Sequence, residues 1–289
     1  MHTLHDGLNW RSLLFIPASN RSFVEKAASR GADGIILDLE DSIPPEQKHD
    51  VRFVVAEHML MLAQQQLPVV VRINNDLRNA VRDLEAVVSP NLTAIMVPKT
   101  ESAGYLRQLD TLIRQLEAER GLAPGHIRML GLIETAGGIV NLPDIARATP
   151  RLCALALGSE DLIAELGCVP TTERLLGYSE TLLVNAKANH LQAIGIPGAL
   201  ANFNNLELLK EQVQIAREMG FTGALAIHPR QISLFNEGFA ATEDEVSWAK
   251  TVVERFAAAQ AEGIGVIAID GQMIDAPVLQ RAKDILTYS

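Results

Sequence analysis

The sequence predicts an α/β protein: a TIM-type (β/α)8 barrel followed by a C-terminal helical extension. Three observations predict it. Eight short apolar runs recur along the 289 residues, with helical patterns between them. Each run is continuous rather than alternating, as strands covered on both faces are. No glycine-rich phosphate fingerprint follows the first run, which sets the closed barrel ahead of its alternative, an open doubly wound sheet.

In order, the runs cover residues 13–16, 34–39, 69–73, 94–97, 129–133, 152–157, 194–200 and 224–227. The seventh contains Pro197 and two glycines, which weaken a strand. The spacing predicts helices over 23–30 and 51–65, before the second and third runs. The segment 105–120 carries Leu106, Leu109, Leu112, Ile113 and Leu116 at i, i+3, i+4 positions and stops before Gly121. Helices over 180–193 and 206–219 end before Gly195 and Gly220, and glycine suits the left-handed residue that terminates a helix. In the tail, Thr242-Glu-Asp-Glu245 is a capping-box pattern opening a helix to about Glu262. Residues 263–268 read as an extended link, and 270–277 lead into a last helix ending near Tyr288. The expected organisation is a catalytic barrel over 1–240 and an extension over 241–289 that packs on the barrel or on a neighbouring subunit.

Composition narrows the function. Hydrophobic residues make up 48% and charged residues 21%, enough apolar content to bury a core and to exclude disorder. The formal net charge of −10 offers no basic face for nucleic acid, so no nucleic-acid partner is expected. No stretch nears the roughly 20 apolar residues of a membrane span. Met1-His-Thr-Leu-His-Asp6 lacks a basic segment followed by an apolar run, so no secretory leader and a cytoplasmic location are expected. Cys153 and Cys168 show neither a disulfide framework nor metal spacing and read as small buried hydrophobes.

A (β/α)8 barrel places its active site at the carboxyl ends of the strands, so polar residues should gather just after the apolar runs. They do. Asp38, Glu40 and Asp41 follow the second run, Arg72 and Asn74 the third, and Lys99 the fourth. Glu134 follows the fifth, Glu160 and Asp161 the sixth, and His228 and Arg230 the eighth. One charged residue after a strand is ordinarily a solvated loop residue; six charged strand ends call for pairing or a metal. Glu134 and Asp161, completed by water and substrate oxygens, suit Mg²⁺ better than zinc. The alternative is that each pairs with Arg72, Lys99 or Arg230. Thr135-Ala-Gly137-Gly138 opens a helix whose N–H groups can hold a substrate carboxylate. Arg72 suits a carboxylate through its planar fork. Lys99 reads as a counter-charge to Glu40 or Asp41 rather than a Schiff-base lysine, and His228 as a hydrogen-bonded structural residue.

Taken together, these residues resemble the citrate lyase β-subunit-like branch of the HpcH/HpaI aldolase/citrate lyase family. The motifs are Arg11-Ser-Leu-Leu-Phe-Ile-Pro17, Leu37-Asp-Leu-Glu-Asp-Ser42, Val71-Arg-Ile-Asn74 and Val97-Pro-Lys-Thr100. They continue through Gly131-Leu-Ile-Glu-Thr135, Leu157-Gly-Ser-Glu-Asp-Leu162, Ile227-His-Pro-Arg-Gln-Ile232 and Asp270-Gly-Gln-Met-Ile-Asp-Ala-Pro277. The resemblance implies a TIM barrel, Mg²⁺, and cleavage or formation of a C–C bond beside a CoA thioester. It implies Glu134 and Asp161 as metal ligands and Arg72 as the group holding the keto-acid carboxylate. Glu40 and Asp41 become residues that orient metal-bound water and Lys99. Asp275 becomes an acid/base residue lent to a neighbouring subunit, which implies a homo-oligomer, typically a trimer. Arg11, Arg21 and Lys26 are candidate contacts for CoA phosphates, with surface solvation as their alternative. Two departures stand out: Gly198-Ala-Leu-Ala-Asn-Phe203, where relatives carry an aspartate and a tyrosine, and Pro17-Ala18, where Pro-Gly is commoner.

The function expected is a Mg²⁺-dependent lyase that cleaves a 3-hydroxyacyl-CoA (citramalyl-, malyl- or citryl-CoA type) to acetyl-CoA and a 2-keto acid. The stand-alone look of the chain and the departure near the seventh run favour citramalyl-CoA over a role inside a citrate lyase complex. The alternatives are a pyruvate-type aldolase on free hydroxy-keto acids, a malyl-CoA thioesterase, and a non-catalytic subunit of a lyase complex.

Overall fold

The computed structural model describes residues 8–201 and 204–287; Met1–Asp6, Asn202, Phe203 and Tyr288, read above from sequence, lie outside the described residues. Among the described residues no helix is long and apolar enough to cross a membrane. The chain divides into two compact units, 1–239 and 240–289.

In the first unit the eight barrel strands are β1 (Ser12–Pro17), β2 (Gly34–Asp38), β3 (Val69–Arg72), β4 (Ala94–Val97), β5 (Arg128–Ile133), β6 (Leu152–Leu157), β7 (Gln192–Ile194) and β8 (Ala224–Ala226). All pair in parallel, in the order β7-β6-β5-β4-β3-β2-β1-β8. One further parallel bridge, Ile194 to Gly223, joins the two ends and closes the barrel. The N–H of Gly195 donates to the Gly223 carbonyl at 2.8 Å across the same seam. Only glycine fits at 223, because a Cβ there would come within 1.8 Å of the Trp10 carbonyl oxygen. The strands are apolar on both faces because both are covered: β2, β4 and β6 are buried along their whole lengths. A side chain of that kind contributes about 1.5–3 kcal/mol when fully removed from water.

The helices between them are α1 (Arg21–Glu25), α2 (Lys48–Gln64), α3 (Leu77–Val87), α4 (Ala103–Glu119), α5 (Ala136–Val140), α6 (Leu142–Ile145), α7 (Ser159–Leu166), α8 (Thr172–Ala188), α9 (Leu206–Met219) and α10 (Ile232–Gly238). α4 follows the sequence pattern closely: Ser102 caps it by accepting from Tyr105 N, and Leu106, Leu109, Ile113 and Leu116 are buried. Three expectations change. The helix expected over 23–30 ends at Glu25, and a 3-10 turn covers Ala28–Arg30. The helix expected over 180–193 is α8, which starts earlier and stops at Ala188; His190 turns left-handed at φ 58°. The strand expected over 194–200 is only Gln192–Ile194: Gly195, at φ 152°, still bonds to the Gly223 carbonyl, and Pro197 has no N–H to continue a ladder.

At the amino ends of the strands, Arg151 forms a buried bidentate pair with Glu117 (2.7 and 2.9 Å), which also accepts from Ile127 N at 2.8 Å. This ties α4 to the start of β5 and β6.

In the second unit, Thr242 and Glu245 form the expected capping box of α11 (Glu243–Ala261). The expected extended link is instead an antiparallel hairpin, β9 (Ile267–Ile269) with β10 (Gln272–Ile274), before α12 (Ala276–Thr287). Asp270 and Gly271 turn it with φ of 48° and 81°, the positive pair that a two-residue hairpin loop requires. Ala249, Val252, Phe256, Ile269, Ile274, Leu279 and Ala282 form its own small core.

Candidate functional site

Strand register brings the acidic and basic strand ends together. Asp38 and Arg72 are direct neighbours on β2 and β3, and Ile133 and Leu157 on β5 and β6. Arg72 donates Nε and Nη2 to the two carboxylate oxygens of Asp38, both at 2.7 Å, and its guanidinium sits 5.0 Å above the Phe15 ring. The side-on edge of the fork is thus occupied by Asp38, and the end-on edge faces Glu40 and Asp41. Nη1 at that edge lies 3.2 Å from Glu40 and 3.5 Å from Asp41. Burial would raise the Asp38 carboxyl, but the Arg72 bonds outweigh it and hold the group below its ordinary range. Arg72 is held above its own.

Glu40 and Lys99 form the second pair. Lys99 Nζ donates to Glu40 Oε1 at 2.8 Å and lies 3.8 Å from Asp41. Burial alone would lower Lys99, yet Glu40 and Asp41 raise it, so it stays an ammonium. Lys99 is thus the ion-pair partner of Glu40. The loop carrying Glu40 is tied from below, where Asn74 donates to the Leu39 carbonyl and Lys48 Nζ to the Leu39 and Glu40 carbonyls.

Glu134 is different. It is 2% exposed, and among the described residues no cationic side chain lies within ion-pair distance. Its Oε1 accepts from the backbone N–H of Lys99 at 2.8 Å. Lys99 offers that N–H from a left-handed backbone, φ 45°, so one residue serves two carboxylates, Glu134 with its amide and Glu40 with its ammonium. Burial, with the charges of Asp161 and Glu40, pushes the Glu134 carboxyl up to about 8. Gly158 makes room for it: a Cβ there would stand 2.6 Å from Oε2. Asp161 lies in the first turn of α7, exposed. A buried carboxylate without a cation, facing a second carboxylate, fits a divalent ion. Among the described residues no group of three or more His, Cys, Asp or Glu could hold a metal ion, so an ion at these two carboxylates would need other oxygens to complete its shell.

The remaining candidates fall elsewhere. Arg11 precedes β1 at the opposite end of the barrel and is locked to Asp33 by Nε (2.9 Å) and Nη2 (2.8 Å), so it does not reach this site. Arg21 on α1 is exposed and bridged to Glu25 and Glu57, and Lys26 is exposed just beyond that helix. The expected N–H cradle is largely used up: Gly138 N donates to the Thr135 hydroxyl and Ala136 N to Glu165, leaving Gly137, half-buried against the Glu101 side chain. His228 caps the turn at Pro229–Gln231 by accepting from Arg230 N at 3.2 Å, as a structural histidine does. Asp275, in the second unit, accepts from Val278 N at 3.3 Å and caps α12. Sequence reasoning gave no role to Asp38, Gly158 or the Lys99 amide. The signal for Asp38 was its position one strand over from Arg72; the other two are visible only in three dimensions.

A family profile described as HpcH/HpaI aldolase/citrate lyase matches residues 11–229. The citrate lyase subunit beta of Escherichia coli K12 is 35% identical over 280 residues, covering 96% of this chain and 92% of the relative. A (3S)-malyl-CoA thioesterase of Cereibacter sphaeroides is 32% identical over 275 residues, covering 94% and 91%. A solved structure of protein CitE from Mycobacterium tuberculosis, in complex with magnesium, acetoacetate and coenzyme A, superposes with a TM-score of 0.71 at 31% identity, covering 95% of this chain and 96% of that one. On this profile, these identities and the shared barrel, the chain belongs to the HpcH/HpaI aldolase/citrate lyase family.

Proposed function

We propose that the chain is a Mg²⁺-dependent carbon–carbon lyase. It cleaves a 3-hydroxyacyl-CoA of the citramalyl-, malyl- or citryl-CoA type to acetyl-CoA and a 2-keto acid. One observation carries the reading: Glu134 is a buried carboxylate with no cationic side chain at ion-pair distance among the described residues, near Asp161 at the carboxyl ends of the strands. These two residues hold the ion. The chemistry a divalent cation supplies at such a site is Lewis-acid stabilisation of negative charge on oxygen. The magnesium, acetoacetate and coenzyme A bound by the solved relative support this assignment.

The chain's own groups divide the rest of the work. Arg72, fixed by Asp38, turns its end-on edge to the carboxylate of the keto-acid half, and Gly137 borders the same turn. Glu40, Asp41 and Lys99 orient water and balance charge beside the ion. The hydroxyl proton passes to water as its oxygen becomes the keto oxygen. The C–C bond breaks with its electron pair on the carbon alpha to the thioester carbonyl, and a positioned acid returns a proton to that carbon. Asp275 is that acid, contributed by a neighbouring protomer of a homo-oligomer, with a trimer as the expected form. Arg21 and Lys26 lie on the outer surface, where CoA phosphates can reach them. The enzyme is placed in the cytoplasm.

The test is a panel of acyl-CoA thioesters assayed with the purified chain in Mg²⁺ and in excess chelator. Mg²⁺-dependent release of acetyl-CoA with a keto acid supports the proposal. Free CoA with an intact hydroxy acid means thioester hydrolysis, the activity named for the Cereibacter relative. Cleavage of free hydroxy-keto acids without CoA means an aldolase, and an inert chain means a dependent subunit.

A further inference from the structure

Lys48 is the first residue of α2, an unfavourable place for a lysine. The first turn of a helix presents the positive end of its dipole, which repels a cation. The helix gains nothing from this ammonium, and its partners lie elsewhere. Nζ donates to the Glu40 carbonyl at 2.9 Å, to the Leu39 carbonyl at 3.2 Å and to Asn74 Oδ1. An ammonium has three donors, and all three are spent on the loop after β2 and the residue that supports it.

Asn74 is fixed in turn. Buried at the end of β3, it donates Nδ2 to the Leu39 carbonyl at 3.0 Å and to Asp83 Oδ2 at 2.7 Å. Its backbone N–H donates to the same Asp83 oxygen at 2.8 Å. Asp83, fully buried, accepts from Arg52 Nε at 2.6 Å. Burying that pair costs solvation that an apolar contact avoids, and what it secures is the orientation of Asn74. Glu40 is therefore gripped through its backbone on both sides. Its N–H donates to Asp38 Oδ1 at 2.9 Å, and its carbonyl accepts from Lys48. Its carboxylate then meets Lys99 Nζ at 2.8 Å and Arg72 Nη1 at 3.2 Å.

We infer that Lys48 is a positioning residue of this site: it fixes the backbone at Glu40 so that the Glu40 carboxylate stands between Arg72 and Lys99. It acts through Glu40 alone, since none of the ion pairs of the site includes it. Asp38 holds the loop from the N–H side, so loss of Lys48 frees Glu40 without detaching the strand ends. The effect on turnover rests on the lyase reading; the effect on the loop does not.

The experiment is a double-mutant cycle of Lys48→Met with Glu40→Gln in the full chain, at saturating Mg²⁺ and acyl-CoA, with amide exchange followed over residues 39–42. Lys48→Met should speed that exchange at least about tenfold and lower kcat by about tenfold, with KM changing less. Lys48→Arg, whose fork can reach both carbonyls, should recover most of both. In the Glu40→Gln background, Lys48→Met should cost less than about twofold in kcat, because the group it positions is gone. Should Lys48→Met not fold, Lys48→Gln, which keeps an uncharged donor, takes its place in the cycle. Additive losses in kcat would mean general structural support and overturn the inference. So would unchanged exchange in the folded variant, or faster exchange with wild-type kcat. A wild-type chain that cleaves none of the thioesters sinks the lyase reading instead. Exchange then decides the role of Lys48 by itself: faster exchange sustains it, and unchanged exchange overturns it.

Discussion

Arg72 and Glu134 stand in one ring of strand ends, yet their charges are treated in opposite ways. Arg72 is surrounded by Asp38, Glu40 and Asp41. Glu134 is buried, and burial first, then the charges of Asp161 and Glu40, push its carboxyl up to about 8 against the one backbone N–H that favours the charged form. A bound proton must leave for a cation to take its place. Mg²⁺ affinity should therefore climb as pH rises toward 8, with proton release on binding, which calorimetry in buffers of different ionisation enthalpy measures directly. The sign for stability is opposite: a carboxyl raised on folding binds extra protons in the folded state, so the metal-free chain should lose stability from about pH 4.5 to 8. Glu134→Ala should weaken Mg²⁺ binding by at least about tenfold; full affinity and activity in that variant would remove the metal assignment. At Arg72 the relevant property is shape. Arg72→Lys keeps the charge but cannot hold Asp38 through two bonds and also present a second edge, so kcat/KM should fall by about 1.5–3 kcal/mol. Wild-type kcat/KM would make the residue structural.

At the scale of elements, the amino ends of the strands hold the barrel and the carboxyl ends carry the site. Arg151 and Glu117 illustrate the first role, since both are nearly inaccessible and bonded through two contacts. Arg151→Met would leave Glu117 buried without its cation, an expected loss of about 3–5 kcal/mol in chemical denaturation, with Mg²⁺ affinity unchanged. Burial would raise Glu117, but Arg151 and two backbone N–H groups hold it low, so its share of stability is present at neutral pH and fades as acid protonates it. Legibility in the sequence followed the same division. Strands buried on both faces and the stripe of α4 announce themselves, because a continuous apolar run or an i, i+4 pattern records which face meets the core. The β7 region misled because Leu191 and Ala193 prolong the apolar pattern past Ala188, while the chain had already turned at His190. The hairpin at Asp270-Gly271 carried its turn signal in plain view, but it was absorbed into the approach to α12. In the site, residue types at strand ends were legible; which carboxylate takes which edge of Arg72 was not, because that depends on Asp38 across the register.

The whole molecule sets the remaining question, because the second unit carries Asp275 and the first carries the proposed ion ligands Glu134 and Asp161. Asp275 is half-buried and caps α12, so a structural role alone is a concrete competitor. The two roles separate by choice of substitution. Asp275→Asn retains a capping side chain and removes the acid, whereas Asp275→Ala removes both, with a cap worth about 1 kcal/mol. If Asp275 only caps, Asp275→Asn should be active and near wild-type in stability. If it transfers the proton, both variants should lose roughly 10²–10⁴ in rate, and Asp275→Asn should keep its fold. Sharing between protomers is then tested by mixing two inactive chains. Glu134→Ala protomers lack the ion site but carry Asp275, and Asp275→Asn protomers have the reverse defect. In a symmetric oligomer with sites shared across interfaces, hybrids contain sites in which an intact ion centre meets an intact Asp275. Activity should therefore return on subunit exchange and follow the fraction of hybrid resolved by native mass spectrometry. Hybrids that form and stay inactive would show that each protomer depends on its own Asp275.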